Sequence, residues 1–107
     1  MQQPDLAKMM RDAAKMQAEI ARIQNELQTT PVEGSAGGGA VKITCTGALD
    51  FSKVKISKEA VDPDDVETLE DLVLMAIKDA CDKARDLGQQ KMDKTMGSMG
   101  LPPGLGL

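Results

Sequence analysis

Only one stretch of this chain, Gly38 to Ile56 (GGAVKITCTGALDFSKVKI), reads as sheet, and two long helical segments on either side must be anchored to it. From Ala40 to Thr46, Val41, Ile43 and Cys45 alternate with Lys42, Thr44 and Thr46, the period of a strand with one wet face. Gly47 and Ala48 turn the chain. Val54 and Ile56 then fall on one side and Lys53 and Lys55 on the other, so a second half-buried strand follows in hairpin order. Leu49 and Phe51 have the opposite parity, which points to a bulge near Asp50 to Ser52, because one extra residue moves later side chains to the other face.

The segment before the sheet is strongly amphipathic. Leu6, Met9, Ala13, Met16, Ile20, Ile23 and Leu27 recur at intervals of three and four, with no Gly or Pro after Pro4. Pro4 suits a first helical turn and Asp5 its positive end, which predicts a helix from Pro4 to Gln28. Such a helix cannot bury its stripe alone. Lys8, Arg11, Lys15 and Arg22 gather on the outer face, while Asp5, Asp12, Glu19 and Glu26 share one flank. The plainer reading of those charges is a solvated face with weak pairs such as Glu19 with Arg22 or Lys8 with Asp12. Thr29 to Ser35, broken by Pro31, can supply at most an edge strand. The glycine-rich run Gly34, Ser35, Ala36, Gly37, Gly38, Gly39 has neither a following helix nor a Gly-Lys-Ser/Thr, so it reads as a flexible turn rather than a phosphate loop.

After Ile56, SKEAVDPDDVETLED carries Asp62 as an expected N-cap, Pro63 at the first helical position and acids through the first turns. Val66, Leu69, Val73, Ala76, Ala80 and Leu87 form one stripe, widened by Leu72, Met75 and Ile77. Two sticky sides imply packing on the sheet and on something more, with small residues allowing close approach; Val73, Ala76, Ile77 and Ala80 are the expected dimer contacts. Past Ala84 the apolar content thins and the helix is expected to project into solvent. The domain is drawn at 1–94, and 95–107, rich in Gly, Met and Pro, as a flexible tail.

Composition narrows the function. The 107 residues make one domain with a modest core. The net charge of -4 argues against a simple basic nucleic-acid binder, but residues 1–60 hold eight Lys or Arg against seven acids and residues 61–107 five against ten. The acidity belongs to the second half. One Phe and no Trp or Tyr leave almost nothing for base stacking, so single-strand recognition is a poor reading. Cys45 and Cys81 match no metal or secreted disulfide spacing and read as buried thiols of a cytosolic protein. No leader and no membrane-spanning apolar run are apparent. With no His in the chain, and with Asp64, Asp65, Glu67, Glu70 and Asp71 sitting where a helix start wants acids, neither an enzyme nor a metal site is expected, and no cofactor.

Four segments in order, MMRDAAKMQAEIARIQNEL, GGGAVKITCTGALDFSKVKI, LEDLVLMAIKDACDKA and LPPGLGL, resemble the YbaB/EbfC family of small bacterial nucleoid-associated proteins. The resemblance covers nearly the whole chain. It implies an α+β fold, long helix, three-stranded antiparallel sheet, long helix, as a homodimer with helical arms projecting like tweezers. It also implies binding to double-stranded DNA in the nucleoid with limited sequence preference.

DNA affinity follows local potential rather than total charge, so a basic strip on an acidic protein suffices. Lys8, Arg11, Lys15 and Arg22 supply one, with Lys83, Lys91 and Lys94 expected to add to it from the second helix. Lys42, Lys53 and Lys55 form a competing patch on the sheet. Without a motif for reading base edges, phosphate and shape contacts should dominate. The rival reading is a coiled-coil-like scaffold whose stripes recruit another protein.

Overall fold

The computed structural model describes residues 5–98. Helix α1 spans Leu6–Thr29, strands β1, β2 and β3 span Pro31–Ala36, Val41–Thr46 and Phe51–Ile56, and helix α2 spans Val66–Ser98 after a short 3-10 turn at Lys58–Ala60. The expected α+β order is therefore observed. Pro4 lies outside the described residues. Asp5 caps α1, its carboxylate accepting from the Lys8 N–H at 3.2 Å.

The sheet is antiparallel in the order β1-β2-β3, with β2 central. The turn between β1 and β2 is shorter than expected, because Gly34, Ser35 and Ala36 pair with β2 as strand; Gly37, Gly38 and Gly39 have φ of 63°, 67° and 95°, three left-handed positions that glycine tolerates best. The bulge is present. Thr44 pairs with Lys53 and Cys45 with Phe51, which leaves Ser52 as the extra residue.

α2 lies across the β1 and β2 part of one sheet face. Ala76, Ala80 and Ala84 are fully covered there by Val32, Ala36, Val41, Ile43 and Cys45, with Leu69, Leu72, Val73, Ile77 and Leu87 packed around them. Gly34 makes this approach possible. A Cβ at that position would stand 2.4 Å from the Ala76 carbonyl oxygen and 2.4 Å from the Ala80 nitrogen. Two polar contacts fasten the helix to the edge strand: Ser35 N–H donates to Asp79 Oδ2 at 2.9 Å, and Lys83 Nζ donates to the Glu33 carbonyl at 3.1 Å.

Two local expectations change. The Asp62-Pro63 signal makes a turn rather than the helix start: Asp64 N–H donates to Asp62 Oδ1 and Asp65 N–H to the Asp62 carbonyl, each at 3.0 Å. Asp at the first and Pro at the second position suit a β-turn as well as a helix N-terminus. The capping role passes to Asp65, whose carboxylate accepts from the Thr68 N–H and hydroxyl. At the other end, α2 continues through Ser98, four residues into the segment expected as tail. Residues 99–107 lie outside the described residues.

Candidate nucleic-acid interface

The far half of α2 is not a free arm. It runs antiparallel along the second half of α1, with Leu27 beside Gly88, Lys91 Nζ donating to Glu26 Oε2 at 3.1 Å and Arg22 to the Thr95 hydroxyl at 3.5 Å. Leu27 also fills the space over Gly47, where a Cβ would meet its Cδ2 at 2.7 Å. Met16, Ile20, Ile23 and Leu27 are thereby covered in part or whole, whereas every residue from Leu6 to Lys15 is exposed. The projecting arm of the molecule, which measures 76 × 21 × 17 Å, is the first half of α1.

The seven cations expected to bind DNA divide by partner. Arg22 donates from Nε and Nη2 to Glu19 Oε2 at 3.0 and 2.7 Å and from Nη1 to Glu26 Oε1 at 2.5 Å. Those hydrogen bonds, to Glu19 first and Glu26 second, hold the guanidinium above its ordinary pKa. Lys83 pairs with Asp79 at 3.0 Å, and Lys91 with Glu26. The Glu26 carboxyl is held below its ordinary range, chiefly by Lys91 and then by Arg22. Asp79 is lowered mainly by the Ser35 N–H, with Lys83 second. Lys8, Arg11, Lys15 and Lys94 are exposed and have no ion pair among the described residues.

Lys15 and Lys94, distant in sequence, line one cleft of about 440 Å³ between the two helices, and Lys8 and Arg11 lie beyond it on the arm. Of the two pairs expected from spacing, Glu19–Arg22 forms and Lys8–Asp12 does not. Sequence spacing missed the Glu26–Lys91 clasp, because nothing local marks a contact across 65 residues. Among the described residues no cluster of His, Cys, Asp and Glu is arranged to hold a metal ion, and no helix is long and apolar enough to cross a membrane.

The residues expected to join two chains also divide. Ala76 and Ala80 have no exposed surface, since β1 of the same chain covers them; they leave nothing for a partner to touch, and this corrects their assignment. Val73 and Ile77 are half-buried on the flank of the core. The register places Phe51, Val54 and Ile56 on the inward face beside Cys45, Ile43 and Val41, yet they remain 44 %, 56 % and 38 % exposed because α2 stops short of β3.

Comparison with known proteins agrees with this architecture. Residues 1–99 match the YbaB/EbfC DNA-binding family. A nucleoid-associated protein of Saccharopolyspora erythraea is 43 % identical over 104 residues, 97 % of this chain and 90 % of the relative. One from Nitrobacter hamburgensis is 42 % identical over 103 residues, 96 % of this chain and 97 % of the relative. In the crystal structure of an uncharacterized Helicobacter pylori protein the same fold recurs, with a TM-score of 0.72 at 16 % identity over 88 % of this chain and 98 % of that one. Fold, length and sequence thus agree from the first helix to the end of the second, and the chain belongs to the YbaB/EbfC DNA-binding family.

Proposed function

We propose that this protein binds double-stranded DNA in the nucleoid, through phosphates and with little sequence preference, as a homodimer with projecting helical arms. The observation that carries this reading is the exposed first half of α1, where Lys8, Arg11 and Lys15 have no ion-pair partner among the described residues while Arg22 further along is neutralised by two carboxylates. The three span about 10 Å of helix, roughly three phosphate steps of one DNA strand. The relatives named nucleoid-associated proteins support the same reading. In it, Lys94 joins the arm across the cleft, and Arg22, Lys83 and Lys91 hold the scaffold rather than the ligand.

Uncovered apolar surface supports the dimer. Phe51, Val54 and Ile56 on β3 lie on the sheet face that α2 covers over β1 and β2, where Val73 and Ile77 pack against the Ala36, Val41 and Ile43 cluster, and a second copy placed on β3 would bury them. A scaffold reading has one observation in its favour, the exposure of Leu6, Met9 and Met10 at 69 %, 57 % and 65 % on the same arm. The readings separate when Lys8, Arg11 and Lys15 are all changed to Gln. Mobility shifts on two unrelated duplexes should weaken alike, and the slope of log affinity against log salt should shrink by about 0.9 per lost contact. Undiminished binding refutes the arm as the site, and loss on only one duplex refutes phosphate-only recognition.

A further inference from the structure

The open face of the sheet is as basic as the arm, and the proposed function makes no use of it. Antiparallel register sets Lys42 directly opposite Lys55, and Lys53 opposite Thr44. Like charges in that arrangement oppose strand pairing. All three lysines are exposed, and none has an ion pair among the described residues. On β1, Glu33 is the single carboxylate in register with this face; its neighbours there are Pro31 and Ser35, which pair with Thr46 and Lys42. The surface is therefore three ammonium groups without an ion pair, set on two strands about 4.8 Å apart among small hydroxyls, with the one Glu33 carboxylate on the third strand. It has no apolar centre to seat a folded protein partner.

This face is also well separated from the arm. Counting along α1 from Leu27, which abuts Gly47 at one end of the sheet, Lys15 and Lys8 lie roughly 18 and 28 Å away. Lys42 is a further four strand residues, about 14 Å, from Thr46. One duplex laid on the tip of the arm leaves the sheet lysines free.

We propose that Lys42, Lys53 and Lys55 form a second binding surface for duplex DNA phosphates, through which one protein molecule holds a second duplex while the arm holds the first. The ligand class rests on the proposed function, but the position does not. The backbone polyanion fits because a flat array of ammonium groups without base-reading side chains recognises charge and spacing only. As on the arm, each contact should add about 0.9 to the salt slope.

The test tethers one 30-base-pair duplex, saturates it with protein, and measures capture of a second, labelled duplex of unrelated sequence. The parent should capture it; the variant Lys42→Gln, Lys53→Gln, Lys55→Gln should still bind the tethered duplex but lose capture at least tenfold. Its melting temperature should stay level or rise, since the opposed pair is relieved. Undiminished capture by the folded variant, or none by the parent, overturns the proposal while leaving the arm reading intact. If instead the sheet variant loses all binding and Lys8→Gln, Arg11→Gln, Lys15→Gln loses none, the sheet surface stands and the arm reading fails. Polyglutamate bound at these lysines in place of duplex overturns the proposal in favour of an acidic protein.

Discussion

Changing Gly34 to Ala adds one methyl group at the point where α2 presses on β1. The new Cβ would sit 2.4 Å from the Ala76 oxygen, 2.4 Å from the Ala80 nitrogen and 2.6 Å from the Ala80 Cβ, and two of these are backbone atoms of a continuous helix. To regain ordinary contact α2 must lift by about 1 Å, a gap that forfeits a quarter to half of the dispersion energy between the facing surfaces. Those surfaces include Val32, Val41, Ile43, Cys45, Ala76, Ala80 and Ala84, most of the fully buried side chains. We expect a loss of about 3 kcal/mol, the upper part of the usual overpacking range, because no flexible side chain can give way. In a domain of this size that lowers Tm by about 15 °C. Gly38→Ala is the control: nothing lies within 4 Å of its Cβ, and only its φ of 67° is strained. Its expected loss is about 1 kcal/mol. Circular-dichroism melts at one fixed protein concentration compare the two. Ala80→Gly should restore little to Gly34→Ala, since the backbone contacts remain. A Gly34→Ala protein melting within about 3 °C of the parent, or no lower than Gly38→Ala, refutes this account of helix–sheet packing.

Val54→Asp should leave the fold intact, because that side chain is already 56 % exposed in one chain, but abolish the proposed dimer by placing a charge in its proposed apolar contact; sedimentation at micromolar concentration reads the outcome, and a retained dimer moves the interface elsewhere. Glu26 has a lowered folded pKa, so its contribution to stability is complete above its ordinary value near 4.5 and is lost as pH falls through the folded value. Glu26→Gln should therefore flatten the acid limb of a Tm-against-pH profile without erasing it, since Asp79 is lowered too, and an unchanged limb argues against the clasp with Lys91. Cys45 is buried, with a thiol pushed up by desolvation and then by Cys81, whereas Cys81 is half-exposed. A thiol reagent should label Cys81 first and Cys45 only on unfolding; two equally fast thiols refute the placement of β2 beneath α2.

Patterns with a short period were legible in the sequence because the interactions that enforce them are local. The alternation of Val41, Ile43 and Cys45 and the parity slip at Ser52 appear in the structure where the residues place them, and the α1 stripe lies on a helix, its second half, from Met16 to Leu27, covered in part or whole. The Asp62-Pro63 pair misled because turn and helix start demand the same residue types, and three residues of register separate the outcomes. Long-range placement was not legible. An alanine stripe reads equally as a contact with another chain or with the chain's own sheet, and what decides is Gly34, which sits 42 residues before Ala76 and whose lack of a side chain is silent in any hydropathy pattern. In the same way Arg22 shares the helical spacing of Lys8, Arg11 and Lys15. Only the pairing of α1 with the far half of α2 shows that its charge is already used.

The division of charge along the molecule explains how an acidic chain supports a basic arm. Ten of the seventeen acids lie in residues 61–107, and Asp62, Asp64, Asp65, Glu67, Glu70 and Asp71 cluster at or just before the start of α2. From Val66 to Lys94 that helix measures about 42 Å, so these acids stand at the opposite end from the cleft where Lys94 faces Lys15. At physiological ionic strength the Debye length is about 8 Å, and charges that far away contribute almost nothing to the potential at the arm. The acids near the arm are Asp5 and Asp12, exposed on its own flank, and Glu19 and Glu26, of which the last two are held by Arg22 and Lys91. The clasp thus acts twice: it fastens α1 to α2, and it neutralises Glu19 and Glu26, so that Lys8, Arg11, Lys15 and Lys94 are opposed nearby by Asp5, Asp12 and Asp93 alone, which leaves a small positive balance on the surface proposed to meet a duplex.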